Sequence, residues 1–97
     1  MKKAYWVVTY RSVSDQTKLD NYAKLAAPAI VEAGGNILVR GLPSAVLEEG
    51  QVERTVVTEF ANLDAAMNAY KSDQYKIALD ALGDAAVRDI RIIEGTD

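Results

Sequence analysis

The sequence contains no cysteine and no histidine, and these two absences exclude several kinds of site. Without cysteine there can be no disulfide, no thiolate nucleophile and no thiolate metal site. Without histidine the commonest general base and the usual ligand of haem iron are missing, and the loss of both residue types removes the usual zinc ligands. A carboxylate-only metal site remains chemically possible, although no spacing of acidic residues suggests one. We therefore predict that the protein uses no metal and no cofactor.

The chain also lacks long apolar runs and dense clusters of positive charge. No run approaches transmembrane length, and the apolar segment after the basic start is too short for the core of a signal peptide. The net charge is −3 and the pI is about 4.9, so a nucleic acid would meet mild repulsion. These features predict a cytoplasmic protein that binds neither nucleic acid nor membrane.

The residues that are present favour one globular domain over residues 1–97. The apolar share of 49% and the charged share of 26% are ordinary for a soluble folded protein. Four short stretches rich in β-branched and aromatic residues predict strands at about residues 4–11, 36–41, 53–60 and 87–94.

Helical periodicity lies between the first and second strands and again between the third and fourth. The resulting order, β-α-β-β-α-β, predicts an α+β protein with a ferredoxin-like fold, in which a four-stranded antiparallel sheet carries its helices on one face. Pro28 interrupts the first apolar stripe, so we expect a kink there or a new helix start. Gly34–Gly35 should end that helix. Polar residues predict the helix starts: Ser14 or Asp15 for the first helix, Asn62 for the second and Ser72–Asp73 for a short third one.

Both alternating faces of the first predicted strand are apolar. Tyr5 and Val7 lie on one face, while Trp6, Val8 and Tyr10 lie on the other. Two helices can cover only one face of the sheet, and four short strands would leave an apolar patch of about 300 Å² on the other. A patch of that size is comparable to the largest on a typical monomer. We therefore predict a homodimer through the sheet face; a monomer that uses this face for another partner is the alternative.

Several segments resemble the domain-of-unknown-function family 1330: YWVVTY, NYAKLAAPAIVEAGGNILVRG, VERTVVTEF, AYKSDQY and IRIIEG, in the expected order over nearly the whole chain. The resemblance implies a dimeric α+β barrel with a ferredoxin-like protomer. The wider group includes cofactor-free monooxygenases, haem-degrading enzymes, lactone isomerases and dismutating enzymes, and its members often use a pocket between sheet and helices. Haem degradation relies on a histidine ligand, which this chain lacks. The family itself implies no particular activity.

Two charged residues stand out because they lie in strands that are otherwise apolar. Arg40 could clamp a carboxylate or enolate, or it could pair with an acid and hold the sheet edge or the dimer in register. Glu59 could act as a desolvated general base, or it could be paired with Arg40 or Arg54. Whether Arg40 and Glu59 share a face depends on the register between the second and third strands, which the sequence leaves open.

Tyrosines on the helical stripes are the remaining candidates. Tyr22 and Tyr75 could simply be core residues, or they could line a pocket. Our first hypothesis is a protein that binds or converts a small carbonyl or acidic molecule without a cofactor. In it Arg40 orients the anion, Glu59 moves a proton, and Tyr22 or Tyr75 lines the cavity. The alternative is a non-catalytic dimeric module in which the same charges lock an interface.

Overall fold

The computed structural model describes residues 2–96 and has the predicted order of elements, with the second helical region divided in two. No helix within these residues is both long enough and apolar enough to cross a membrane. The elements are β1 (Ala4–Val13), α1 (Gln16–Glu32), β2 (Asn36–Gly41), β3 (Thr55–Phe60), α2 (Leu63–Lys71), α3 (Asp73–Leu82) and β4 (Ala86–Glu94).

The four strands form one antiparallel sheet in the order β2-β3-β1-β4. Residues of β1 alternate in burial: Trp6, Val8 and Tyr10 belong to the core under the helices, whereas Tyr5 and Val7 are only partly buried. This alternation follows from the two-residue period of a strand. The predicted ferredoxin-like fold, with the helices on one face of the sheet, is confirmed.

The helix ends have local causes that the sequence reveals. The Asp15 side chain accepts a hydrogen bond from the Lys18 amide at 3.1 Å and caps α1. At the other end Gly34 has a φ of 93°, and the amide of Gly35 donates to the carbonyl of Ile30 at 2.8 Å. This is the bonding expected of a glycine stop, so the predicted helix end is confirmed.

Pro28 does not begin a new helix, because α1 runs without a break through it. A proline inside a helix loses one backbone hydrogen bond and costs about 3 kcal/mol. Buried residues on both sides of it, including Tyr22, Ala26 and Ile30, belong to the hydrophobic core, and α1 packs against α3. Tertiary packing therefore stabilises a helix that the local pattern would allow to end, as is usual for helices in proteins.

A β-bulge in β2 determines on which face of the sheet Arg40 lies. Ile37 pairs with Thr58 and Val39 pairs with Val57, so Leu38 is an extra residue in a β-bulge. As a result Arg40 lies opposite Val56, on the face that the helices cover. Without the extra residue Arg40 would have paired with Thr55 and pointed to the other side of the sheet.

The uncovered face of the sheet, which we call the open face, is less uniformly apolar than the sequence suggested. Tyr5, Val57 and Ile93 are apolar residues on it, but Asp89 and Arg91 of β4 lie there too. The isoleucines that alternate with these charges in β4 point towards the helices instead. The predicted apolar patch is therefore interrupted by a charged cluster in the middle of β4.

Candidate functional site

A cavity of about 60 Å³ lies between α1 and the helix-covered face of the sheet. One water molecule needs about 10–15 Å³, so the cavity has room for several water-sized groups. Its walls are largely apolar and include several alanines of α1. The polar side chains that line it are those of Tyr10, Tyr22, Arg40, Arg54, Thr58, Tyr75 and Arg88.

Strand register brings the three arginines to one face. Arg88 is the pairing partner of Tyr10, and the carbonyl of Arg54 accepts a hydrogen bond from the Tyr10 amide at 3.0 Å on the other side. Arg54 and Arg88 therefore flank Tyr10, while Arg40 reaches the same face of the sheet from β2 because of the bulge. Arg40 and Arg54 are exposed, and Arg88 is half-buried.

Arg88 is held by aromatic side chains. Its Nη1 donates to the Tyr22 hydroxyl at 2.9 Å, and its guanidinium carbon lies 4.9 Å from the centroid of the Tyr22 ring and 5.6 Å from that of Tyr10. These distances are typical of cation–π contacts. The Tyr22 hydroxyl also lies 2.7 Å from the Tyr75 hydroxyl, so Arg88, Tyr22 and Tyr75 form one hydrogen-bonded chain.

Burial raises the pKa of Tyr22 well above its usual value near 10, and the neighbouring Tyr75 acts in the same direction. Tyr22 is therefore a neutral phenol at physiological pH. It can donate a hydrogen bond to a ligand, but it cannot serve as a base there.

The charged side chains that line the cavity are all positive. None of its three arginines makes an ion pair within 4.0 Å among residues 2–96, where the carboxylates in ion pairs are Glu59, Asp84 and Asp89. The lining contains no Asp, Glu or Lys. Its polar groups are guanidiniums and hydroxyls, which suit an anion and leave no carboxylate to accept a proton.

Three of the four predicted site residues line this cavity, namely Tyr22, Arg40 and Tyr75. Glu59 does not, because it pairs with Tyr5 on the open face. There it accepts a hydrogen bond from the Tyr5 hydroxyl at 3.1 Å and forms an ion pair with Lys3 at 3.3 Å. The expectation that Arg40 or Arg54 would pair with Glu59 is wrong. Glu59 also cannot move a proton on a ligand held at the Arg40 side of the sheet.

Sequence reasoning missed Tyr10, Arg54 and Arg88 as possible site residues, although a signal for the two arginines was available. Residues two apart in a strand share a face, so Arg88 lies on the same face as Ile90, and Arg54 on the same face as Val56. Both apolar neighbours pack against the core. An arginine in phase with core residues at a strand end is thus a candidate for lining a cavity.

A larger groove of about 330 Å³ lies on the open face. Asp89 lines this groove and accepts hydrogen bonds from Arg91 and from Arg11, the latter at 2.8 Å. These bonds lower the pKa of the Asp89 carboxyl. Since Arg11, Asp89 and Arg91 are already paired with one another there, and Glu53 is the one other charged residue of the groove, we regard the smaller cavity with its unpaired arginines as the candidate site.

Several solved structures superimpose on this chain and share its fold. A protein of unknown function from Rhodopseudomonas palustris, RPA0582, superimposes with a TM-score of 0.71 at 13% identity, over 99% of this chain and 84% of that one. SnoaB, a cofactor-independent oxygenase from Streptomyces nogalater, gives a TM-score of 0.62 at 12% identity, over 100% and 96% of the two chains. A dimeric ferredoxin-like protein of unknown function from Thermobifida fusca gives 0.66 at 13% identity, over 96% and 91%.

The sequence comparisons match a family model but no curated protein. No functionally curated protein has a sequence similar enough to match. A family model described as "Domain of unknown function (DUF1330)" matches residues 3–96, which is nearly the whole chain. The solved structures agree with that assignment at the level of the fold. The chain therefore belongs to the DUF1330 family.

Proposed function

We propose that the protein binds a small organic anion, without a cofactor, in the cavity between α1 and the sheet. The observation that carries this proposal is the convergence of Arg40, Arg54 and Arg88 on a cavity whose lining contains no carboxylate. An unpaired guanidinium at a partly buried site is best satisfied by a carboxylate or enolate, since hydrogen bonds between charged partners are the strong ones.

Binding is better supported than proton transfer. The lining holds no carboxylate, lysine or histidine, and Tyr22 is protonated at neutral pH. A ligand that reacts here would have to supply its own acid–base chemistry. SnoaB, which shares the fold, is a cofactor-independent oxygenase, but at 12% identity the likeness concerns the fold alone.

A matched pair of ligands tests the anion proposal. Propionate and propionamide have nearly the same size and differ in charge, so only propionate should pair with the arginines. In titrations of ¹⁵N-labelled protein we expect saturable shifts of the Ala26 and Val56 amides, with propionate binding at least about tenfold tighter than propionamide. Equal affinities, or no saturable shift with either compound, would contradict the proposal. Native mass spectrometry of freshly purified protein would show whether an acid co-purifies.

The proposal includes a two-fold dimer formed through the open face of the sheet. Apolar residues of three strands, among them Val7, Val57 and Ile93, lie on that face, and Ile93 is half exposed. A two-fold interface would cover the same patch on both chains. The ferredoxin-like protein from Thermobifida fusca, described as dimeric, is a precedent for the fold. A cytoplasmic location stays a prediction.

Two equivalent substitutions on different surfaces test the dimer. Ile93 on the open face and Ile77 on α3 are exposed to similar extents, 50% and 57%. If the open face is the interface, Ile93→Asp should place two desolvated charges there and shift the protein to monomer in sedimentation velocity, whereas Ile77→Asp should leave the dimer intact. A monomeric wild-type protein, or identical behaviour of the two variants, would argue against this interface.

In the alternative function, a non-catalytic dimeric module, Arg40 and Glu59 lock an interface. The register gives this version little support, because Arg40 lies on the helix-covered face and only Glu59 lies on the open face. Charges that could act between two open faces are instead those of Arg11, Asp89 and Arg91.

A further inference from the structure

The hydrogen-bond donors of the cavity fall into two sets at different depths. The hydroxyl-bearing residues of the lining are at most 8% exposed, so this set is buried and electrically neutral. They are Tyr10, Tyr22, Thr58 and Tyr75. The arginines form a charged set further out, in which Arg88 is half-buried and Arg40 and Arg54 reach solvent. A ligand that used both sets would place its charge outward and an uncharged polar atom inward, since desolvating a charge costs far more than desolvating a neutral group.

Counting hydrogens shows that the phenol pair has one donor to spare. Arg88 can only donate, so the Tyr22 oxygen is the acceptor of that bond. Tyr22 and Tyr75 carry two O–H hydrogens, and the 2.7 Å contact between them uses one. Whichever phenol donates in that contact, the other still has an O–H to offer, and both side chains line the cavity.

Arg88 strengthens this spare donor. A guanidinium that donates to the Tyr22 oxygen polarises the phenol, and successive hydrogen bonds in a low-dielectric site reinforce one another. The donor is therefore suited to an oxygen that carries partial negative charge and needs only to accept. A ketone oxygen meets that description, and it carries no hydrogen of its own that would need an acceptor.

We propose that the ligand is a small oxo acid, whose carboxylate binds the outer arginines while its ketone oxygen accepts a hydrogen bond from the Tyr22–Tyr75 pair. This assignment rests on the proposed anion-binding function and narrows the class of anion. The cavity volume of about 60 Å³ restricts the buried part of the ligand to a few heavy atoms.

Four acids of equal chain length test the assignment: butyrate, 2-oxobutyrate, acetoacetate and 3-hydroxybutyrate. All carry one carboxylate, so the arginines should treat them alike. One of the two oxo acids should bind about tenfold tighter than butyrate, because only a ketone at the right distance reaches the phenols. Amide shifts of ¹⁵N-labelled protein give the affinities.

Phenylalanine variants check that the phenols are responsible. Tyr22→Phe and Tyr75→Phe each leave one O–H in the pair, so either single variant should keep part of the preference for the oxo acid. The double variant removes both hydroxyls and should bind the better oxo acid no more tightly than it binds butyrate. Retained far-ultraviolet circular dichroism would show that the variant is folded.

The outcomes separate the two proposals. If all four acids bind wild-type protein equally, or 3-hydroxybutyrate binds as tightly as the better oxo acid, the oxo-acid assignment is overturned and anion binding stands. If none of the four binds, anion binding fails and the assignment fails with it. A folded double variant that keeps the full preference would overturn the role of the phenols.

Discussion

Replacing Trp6 by alanine is expected to lower the free energy of unfolding by about 3–5 kcal/mol, the usual cost of deleting a large buried aromatic ring. Trp6 is 1% exposed, and its ring centroid lies 5.1 Å from that of Phe60 and 5.2 Å from that of Tyr75. Its indole N–H donates to the Ala66 carbonyl at 2.9 Å and so connects β1 to α2. Trp6 is therefore a central packing residue of the core.

The measurement is urea unfolding followed by far-ultraviolet circular dichroism, because the chain has one tryptophan and the variant loses its fluorescence. The whole stability of such a domain is about 5–15 kcal/mol, so Trp6→Ala would leave the protein close to unfolding. Trp6→Phe is the control: it keeps a ring in the core but removes the N–H, and it should cost much less. A loss under about 1 kcal/mol for Trp6→Ala would contradict this account of the core.

Replacing Arg88 by methionine is expected to weaken propionate binding by about 10- to 100-fold, which corresponds to the loss of a hydrogen bond between charged partners. Methionine keeps an unbranched chain of similar length against the rings of Tyr10 and Tyr22. The variant should therefore stay folded while the cavity loses its half-buried positive charge. Titrations of ¹⁵N-labelled variant and wild-type protein would give the ratio of affinities.

Lys71→Met is the matched control, since Lys71 is an exposed cation in the last turn of α2 and does not line the cavity. The Lys71→Met variant should bind propionate as tightly as wild type does. If Arg88→Met also bound propionate as tightly, that result would contradict the anion site.

Propionate binding should also be insensitive to pH between about 6 and 9. Arginine stays charged in that range, and burial keeps the pKa of Tyr22 above it.

Much of the fold could be predicted because its causes are local. The alternation of β1, the caps at Asp15, Asn62 and Ser72, and the glycine stop at Gly34 each depend on a few neighbouring residues, and the structure has all of them. Pro28 is the exception. Its effect on α1 depends on how strongly the rest of the helix packs against α3 and the core, which no local pattern records.

The candidate site could be predicted only in part, since it depends on register between strands far apart in the chain. Tyr22 and Tyr75 are 53 residues apart, and only the packing of α1 against α3 brings their hydroxyls to 2.7 Å. Whether Arg40 and Glu59 share a face was left open by the sequence, and the extra residue Leu38 places them on opposite faces of the sheet.

The sequence alone determined three properties: the absence of cysteine and histidine, the order of strands and helices, and the apolar character of both faces of β1. These properties are either compositional or periodic over a few residues, so they need no knowledge of the tertiary structure. Only the tertiary structure decided which charged side chains lie close to one another. A shift of one residue in strand pairing turns a side chain to the other face, and the bulge at Leu38 turns Arg40 towards the cavity that Arg54 and Arg88 also line.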